Sequence, residues 1–180
     1  IEMCDGSLGM KKNWLFLALF LIVALSRLVP HPWNFSPVGA LALFAGFIWT
    51  DRKWVVWAPM AVVLFTDVFI GLHPTMPFVY LAYIIIALLG RRLQKPTWMR
   101  VGLGAVLASV LFFLLTNFGV WAITDIYPKT TSGLLECYIA GVPFFHNTFI
   151  SNVIFAYVLA VGYNLIGLSE QTQVLTANQS

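Results

Sequence analysis

The chain from Phe112 to Asn147 reads FFLLTNFGVWAI, TDIYPKTTSGLLECYIAG and VPFFHN (residues 112–123, 124–141 and 142–147). An apolar helix therefore leads into a polar, aromatic connection, and a second apolar segment follows it. Polar and aromatic side chains gather at both ends of this connection: Asn117, Trp121, Asp125, Tyr127, Tyr138, His146 and Asn147. Polar groups at membrane depth are costly and usually mark a functional site. We therefore expect a binding site around this connection.

The composition excludes an ordinary water-soluble domain. Of the 180 residues, 60% are hydrophobic and 9% are charged, whereas soluble domains have about 25% charged residues. A chain of this length cannot hide so much apolar surface in a globular core, so we expect it to use the lipid bilayer as its solvent. The net charge of +3 does not indicate nucleic-acid binding, and two cysteines are too few for a disulfide framework.

Six apolar runs predict an all-α integral membrane protein with six transmembrane helices. The runs are Trp14–Val29, Val38–Trp49, Trp54–Leu72, Met76–Gly90, Val101–Ile123 and Pro143–Leu168. The second run is short for a span, which needs roughly 20 residues, so we expect a short helix that is tilted or buried among its neighbours. We interpret residues 1–9 as a leader or cloning remnant, 10–168 as the membrane domain and 169–180 as a polar cytoplasmic tail. The first run also resembles a signal peptide, but Arg27, just after the candidate cleavage site, favours a retained helix.

Basic residues orient these predicted spans. With six crossings and a cytoplasmic N-terminus, most of the ten basic residues lie inside: Lys11, Lys12, Arg52, Lys53, Arg91, Arg92, Lys95 and Arg100. Only Arg27 and Lys129 then lie towards the outside. This bias follows the positive-inside rule and predicts a multi-pass membrane protein with both termini in the cytoplasm. A five-span arrangement without the second run would scatter the basic residues over both sides.

Three stretches resemble DUF6580, a family of small bacterial membrane proteins of unassigned function for which a transport role is suggested. They are SRLVPHPWNFSPVGALALFAG (residues 26–46), TDVFIGLH (66–73) and the stretch 112–148, which contains FFLLTNFGVW and YPKTTSGLLECYIAGVPFFHNT. That family is similar, more distantly, to the substrate-binding S components of energy-coupling factor (ECF) vitamin transporters. The resemblance implies a six-helix fold in the bacterial inner (cytoplasmic) membrane that binds a vitamin from the outer face.

The same resemblance implies partners and a ligand class. The partners would be a membrane-embedded coupling subunit and ATPases, and the ligand a vitamin or vitamin precursor, with cobalamin as one candidate. We expect no other cofactor and no metal. Many S components dock on the coupling subunit through small residues four apart on the first helix. Here Ala18 and Ala24 are six apart with bulky residues between them, which favours a solitary carrier or a different partner.

Asn117 and Trp121 form the central pair of the candidate ligand-binding site. They are four residues apart and so share one helix face, where an amide beside an indole suits a heteroaromatic ligand. The alternative is structural, with an interhelical amide bond and an interfacial tryptophan. The other candidates come from the outer loops and helix ends: Tyr127, Tyr138, His146, Asn147, His31, Trp33, Asn34 and Asp67. We expect residues 124–141 to fold down as a lid over an outer cavity with Asn117 near its floor, and Pro143 to begin the sixth helix.

Asp67 is the one acid well inside an apolar run. It either binds a polar or cationic ligand group or a coupling proton, or it forms a structural ion pair with Arg27 at a similar depth. The three histidines, His31, His73 and His146, could converge on a metal, but their spacing gives no support for a metal site. Cys137 is expected to be a free thiol, with ligation of a metal or corrinoid cobalt as the alternative.

Function classes follow from what the chain contains and lacks. It has no phosphate-binding glycine loop, HExxH or GxSxG motif, so no ATP hydrolysis and no enzyme activity are predicted. The sequence favours a membrane solute-binding or transport protein that takes a small organic ligand from the outer face. The alternative is an accessory subunit of a larger membrane complex with no ligand of its own. An intramembrane enzyme using Asp67 and the histidines ranks last, because no nucleophile–base pair is recognisable.

Overall fold

The computed structural model describes residues 22–23, 25–28, 34–49 and 51–177, with side chains up to residue 165. Over these ranges the chain is helical and contains no strand. Between residues 34 and 177 the structure describes five helices: α1 (Val38–Ile48), α2 (Arg52–Ile70), α3 (Met76–Leu93), α4 (Trp98–Ile123) and α5 (Thr131–Ala177). Residues 25–28 are also helical. Residues 1–9 and most of the predicted first span, Trp14–Val29, lie outside the described residues.

Four of these helices, α2 to α5, are long and apolar enough to cross a membrane. Many large apolar side chains on these helices are exposed, among them Val68 and Met99, and Leu72 just after α2 is exposed as well. Such surfaces suit contact with lipid, where the helix satisfies its own backbone hydrogen bonds. The prediction of an all-α, multi-pass membrane protein is therefore confirmed.

The short helix α1 lies at the centre of the bundle. It contacts all four other helices, and its residues from Val38 to Gly46 are buried. Small glycine and alanine side chains alternate with leucines along it, which lets neighbouring helices approach closely. Its 11 residues make a helix of about 16 Å, roughly half the 30 Å of a bilayer's hydrocarbon core. The prediction of a short helix buried among its neighbours is confirmed.

The helix directions give the bundle two chemically different ends. At one end, which we call the basic end, lie the described basic residues Arg52, Lys53, Arg91, Arg92, Lys95 and Arg100. At the opposite end, the distal end, α1, α3 and α5 begin and α2 and α4 finish. Residues 71–75 and 124–130 connect the helices there. Among the described residues, Arg27 and Lys129 are the basic side chains of the distal end.

The largest departure from the sequence prediction lies between residues 131 and 142. Because α5 begins at Thr131, the α4–α5 connection comprises residues 124–130 alone. The predicted long lid is therefore wrong, since residues 131–141 are helical. The prediction that Pro143 begins a helix is also wrong, because Pro143 lies inside α5. Its missing N–H leaves the carbonyl of Ile139 without the usual helical donor.

A stripe of small residues explains why this polar segment packs as a helix. Gly133, Cys137 and Gly141 are buried at intervals of four residues, so they share one helix face. The same side of α5 continues with buried Thr148, Asn152, Ala156 and Ala160. Small residues allow close helix contact in a membrane. α5 therefore packs antiparallel along α4, from the distal end to the basic end, where Tyr157 stacks on Trp98.

Candidate functional site: a cavity at the distal end

A cavity of about 550 Å³ opens at the distal end of the bundle. Its volume falls within the range of about 300–1,000 Å³ typical of small-molecule sites. Each of the five helices contributes to the wall. The large apolar and aromatic lining residues are Ile70, Val79, Tyr83, Phe112, Val120 and Phe144. The described polar lining consists of Arg27, Asn34, Ser36, His73, Thr75, Thr116, Asn117, Tyr127, Cys137, Thr148 and Asn152.

Arg27, Asp67 and Tyr80 form a polar cluster beside this cavity. Arg27 Nη2 donates to Asp67 Oδ1 over 2.9 Å, and the Tyr80 hydroxyl donates to Asp67 Oδ2 over 2.8 Å. Asp67 is only 3% exposed and lies outside the described cavity lining, whereas Arg27 belongs to it. Of the two interpretations of Asp67, the structure shows the ion pair with Arg27.

Two asparagine side chains in the cavity lining each pack against a glycine of a neighbouring helix. The amide nitrogen of Asn117 donates to its own helix, at the carbonyl of Phe113, over 2.8 Å. Its oxygen rests against Gly141 of α5, where an added methyl group would approach it to 2.3 Å. Asn152 of α5 rests in the same way against Gly39 of α1. The two glycines therefore make the room in which the two amides sit.

Asn152 makes the interhelical amide bond that the sequence suggested for Asn117. It is 2% exposed, and its Nδ2 donates to the Ser109 hydroxyl of α4 over 3.0 Å. Sequence reasoning missed Asn152 because it lies in the middle of a predicted apolar run. The signal that could have found it is an amide at membrane depth, in register with the small-residue stripe of α5.

Trp121 lies outside the described cavity lining and holds the α4–α5 connection instead. Its indole N–H donates to the carbonyl of Pro128 over 2.9 Å, and its ring packs against Phe118 with 5.6 Å between centroids. The ammonium group of Lys129 donates to the carbonyls of Trp121 and Thr124. These contacts favour the structural interpretation of Trp121 over a direct ligand contact.

Three other candidates from this region also lie outside the cavity lining. The Tyr138 hydroxyl donates to the carbonyl of Leu114 over 2.9 Å, which fastens α5 to α4. His146 is exposed, and its Nδ1 lies 3.2 Å from the carbonyl of Val142 in its own helix. Asn147 is half-buried. Of the candidates at the two ends of this connection, Asn117 therefore lines the cavity and these three do not.

The connections at the distal end contribute the remaining candidates. Asn34 and Tyr127 line the cavity, whereas His31 and Trp33 lie outside the described residues. His73 also lines it, with Nδ1 2.8 Å from the Thr75 hydroxyl. In the part of the chain that the structure describes, no three His, Cys, Asp or Glu side chains are grouped so as to hold a metal ion.

Cys137 stands in the wall as a free, buried thiol. It donates a weak hydrogen bond to the backbone carbonyl of Asn117, with 3.3 Å between sulfur and oxygen. This contact ties the first turns of α5 to the distal end of α4. Within the part of the chain that the structure describes, Cys137 forms no disulfide.

Comparison with known proteins adds one finding. No curated protein and no solved structure matches the chain. A family profile described as a family of unknown function, DUF6580, matches residues 9–175, which is nearly the whole length. This match confirms the resemblance seen in the three stretches of sequence. The chain therefore belongs to the DUF6580 family.

Proposed function

We propose that the protein is a membrane solute-binding protein that takes a small organic ligand from the outer face, in the manner of a transporter S component. The distal cavity carries this proposal. Small-molecule sites are mostly apolar, with a few convergent polar groups that fix the orientation of the ligand. Here Tyr83, Phe112 and Phe144 supply aromatic walls, and Asn117 and Asn152 supply amides.

Charge supports the orientation of this proposal. The described basic residues cluster at the basic end, so the positive-inside rule assigns that end to the cytoplasm. The cavity then opens to the outside of a bacterial inner membrane. In the proposed topology the first apolar run and the short helix α1 both count as crossings, which makes six and leaves both termini inside.

The cavity volume bears on the class of ligand. A compact vitamin or vitamin precursor fits about 550 Å³, because sites of this volume hold drug-sized molecules. Cobalamin, with a corrin macrocycle and a nucleotide loop, is much larger than such a molecule and fits less well. Transport by this protein alone, or with a coupling subunit and ATPases, is compatible with such a cavity.

Cysteine labelling tests the orientation. Gln94 lies at the basic end and Thr131 at the distal end, and both are exposed. We expect a membrane-impermeant maleimide to label Thr131→Cys in intact cells and Gln94→Cys only after the cells are opened. The unsubstituted protein reports background labelling at its own cysteines. Labelling of both variants in intact cells would contradict the proposed topology.

Filling the cavity tests ligand binding. Ala140 lines the cavity, so Ala140→Trp should occupy it and abolish retention of a co-purifying small molecule. The neighbouring Ile139 is 60% exposed and lies outside the described lining, so Ile139→Trp is the matched control. The measurement is mass spectrometry of small molecules released from equal amounts of folded protein.

The result separates the two function classes. A compound present in the wild type and in Ile139→Trp, but absent from Ala140→Trp, supports a solute-binding protein. Equal small-molecule content in all three, together with stoichiometric co-purification of another membrane protein, would favour the accessory-subunit alternative.

A further inference from the structure

We infer that the ligand of this cavity is an organic anion and that Arg27 pairs with its carboxylate. The inference deepens the proposed function and rests on it. Arg27 carries the one permanent charge among the described lining residues, and no carboxylate side chain is found among them. A ligand in this cavity therefore meets a guanidinium group and no acidic group within the described wall.

Asp67 lies outside the described cavity lining and orients Arg27 through the ion pair. Both carboxylate oxygens of Asp67 are occupied, one by Arg27 and the other by Tyr80, and the residue is almost fully buried. Asp67 is therefore not the group that meets a ligand. Its role is to fix one nitrogen of the guanidinium and leave the rest of that group for another acceptor.

The guanidinium group has donors to spare. It carries five N–H groups in a planar fork that matches the two oxygens of a carboxylate. Arg27 Nη2 is bound to Asp67, whereas Nη1 is buried and has no hydrogen-bond partner among the described residues. A buried, unsatisfied donor is unfavourable. Because Nη1 is itself shielded and Arg27 lines the cavity, we expect a small rotation that keeps Nη2 on Asp67 and brings Nη1 to a ligand oxygen.

The aromatic side chains in the cavity lining indicate what the anion is attached to. The rings of Tyr83 and Phe112 pack together with 5.2 Å between centroids, and Phe144 adds a third ring to the lining. An inorganic oxyanion would use Arg27 and leave these rings without contact. A flat apolar body that bears a carboxylate would use both parts of the cavity.

A pair of probes that differ only in charge tests this inference. The probes are 2-naphthoate and 2-naphthamide, measured at neutral pH on protein in nanodiscs of a zwitterionic lipid, with empty nanodiscs as background. We expect wild-type protein to bind the acid at least about tenfold more tightly than the amide, as a charge-assisted pair predicts. Ala140→Trp should reduce the binding of both probes.

The deciding variant removes the charge of Arg27 together with that of Asp67, so that no buried charge is left unpaired. Arg27→Gln alone would strand Asp67, so the variant is Arg27→Gln combined with Asp67→Asn, whose two amides are able to bond to each other. We expect this double variant to bind the acid and the amide with similar affinity. Asp51→Asn, an exposed change at the basic end, should keep the tenfold preference.

Each outcome has a definite meaning. Equal binding of acid and amide by the wild type, abolished by Ala140→Trp, would overturn the inference about Arg27 and leave the solute-binding proposal standing. A preference for the acid that survives in the double variant would also overturn it. Binding of neither probe above the nanodisc background would overturn the inference, while the test with Ala140→Trp and co-purifying small molecules decides the solute-binding proposal separately.

Discussion

Replacing Asp67 by Asn is expected to lower the free energy of unfolding by about 3–5 kcal/mol, because the change leaves the guanidinium of Arg27 buried without its counter-ion. The pair is short, at 2.9 Å between Nη2 and Oδ1, and the two side chains are 15% and 4% exposed. Both side chains are therefore largely shielded from bulk water, and hydration offsets the loss of the partner only in part. The measurement is equilibrium unfolding in mixed detergent micelles.

A double-mutant cycle isolates the pair from other effects of the substitution. Arg27→Gln should also destabilise, because it strands the carboxylate, and the two changes together should cost less than the sum of the single changes. Asp51→Asn is the matched control, since Asp51 is exposed and caps α2 by accepting from the backbone N–H of Lys53. Asparagine caps helices about as well, so its effect should be small. Simple additivity of the Arg27 and Asp67 changes would show that the pair does not contribute as a unit.

Tyr80 gives a third, smaller effect in the same cluster. Tyr80→Phe removes the donor to Asp67 Oδ2 but leaves the ion pair in place. The expected cost is about 1–3 kcal/mol, which is the range for a buried acceptor that loses a partner. The order Asp67→Asn above Tyr80→Phe above Asp51→Asn follows from burial and charge. A larger loss for Tyr80→Phe than for Asp67→Asn would contradict this account of the cluster.

The helix ends that the sequence predicted well belong to helices that face mainly lipid. Helix α3 starts at Met76 and α4 ends at Ile123, as their apolar runs predicted. A lipid-facing helix needs apolar residues on most of its surface, so composition alone reveals it. Arg91 and Arg92, in the last turn of α3, then mark where this span ends.

The first three turns of α5 escaped prediction because their partner is protein rather than lipid. Residues 131–141 include Thr131, Ser132 and Glu136, which lower the apolar content of the segment. Their helix is stabilised by α4, which meets the small-residue stripe at Cys137 and Gly141. Small residues contribute little to hydropathy, so the pattern that fixes this contact is nearly invisible in a search for apolar runs. Spacing of four between small residues is the signal that remains.

The candidate site was predictable in part for a similar reason. Asn117 and Trp121 share a helix face, yet one lines the cavity and the other binds the connection at Pro128. One helical turn separates them, and the environment changes over that turn from the facing glycine of α5 to the loop. Periodicity assigns the face of a helix, but the element opposite each turn depends on the tertiary packing. The Arg27–Asp67 pair was available as an alternative because both charges lay at a similar predicted depth.

The crossing of α1 and α3 should be the least tolerant contact in the bundle. A methyl group on Gly46 would stand 2.1 Å from the carbonyl oxygen of Ala87, and one on Gly90 would stand 2.1 Å from that of Leu43. Both obstacles are backbone atoms, so no change of side-chain rotamer relieves them. Gly46→Ala should therefore force the helices apart and cost about 1–3 kcal/mol or more, as overpacking does.

Gly162 supplies a control, because its replacement by alanine should change the free energy of unfolding in the opposite direction. It lies within α5, and an added methyl group there would meet nothing within 4 Å. Alanine is the better helix former by about 0.5–1 kcal/mol, so Gly162→Ala should stabilise the protein slightly, while Gly46→Ala and Gly90→Ala destabilise it. Combining the two crossing substitutions should cost less than their sum, because the first already separates the helices. Equal unfolding free energies for Gly46→Ala and Gly162→Ala, measured in the same micelles, would show that α1 and α3 do not meet at these glycines.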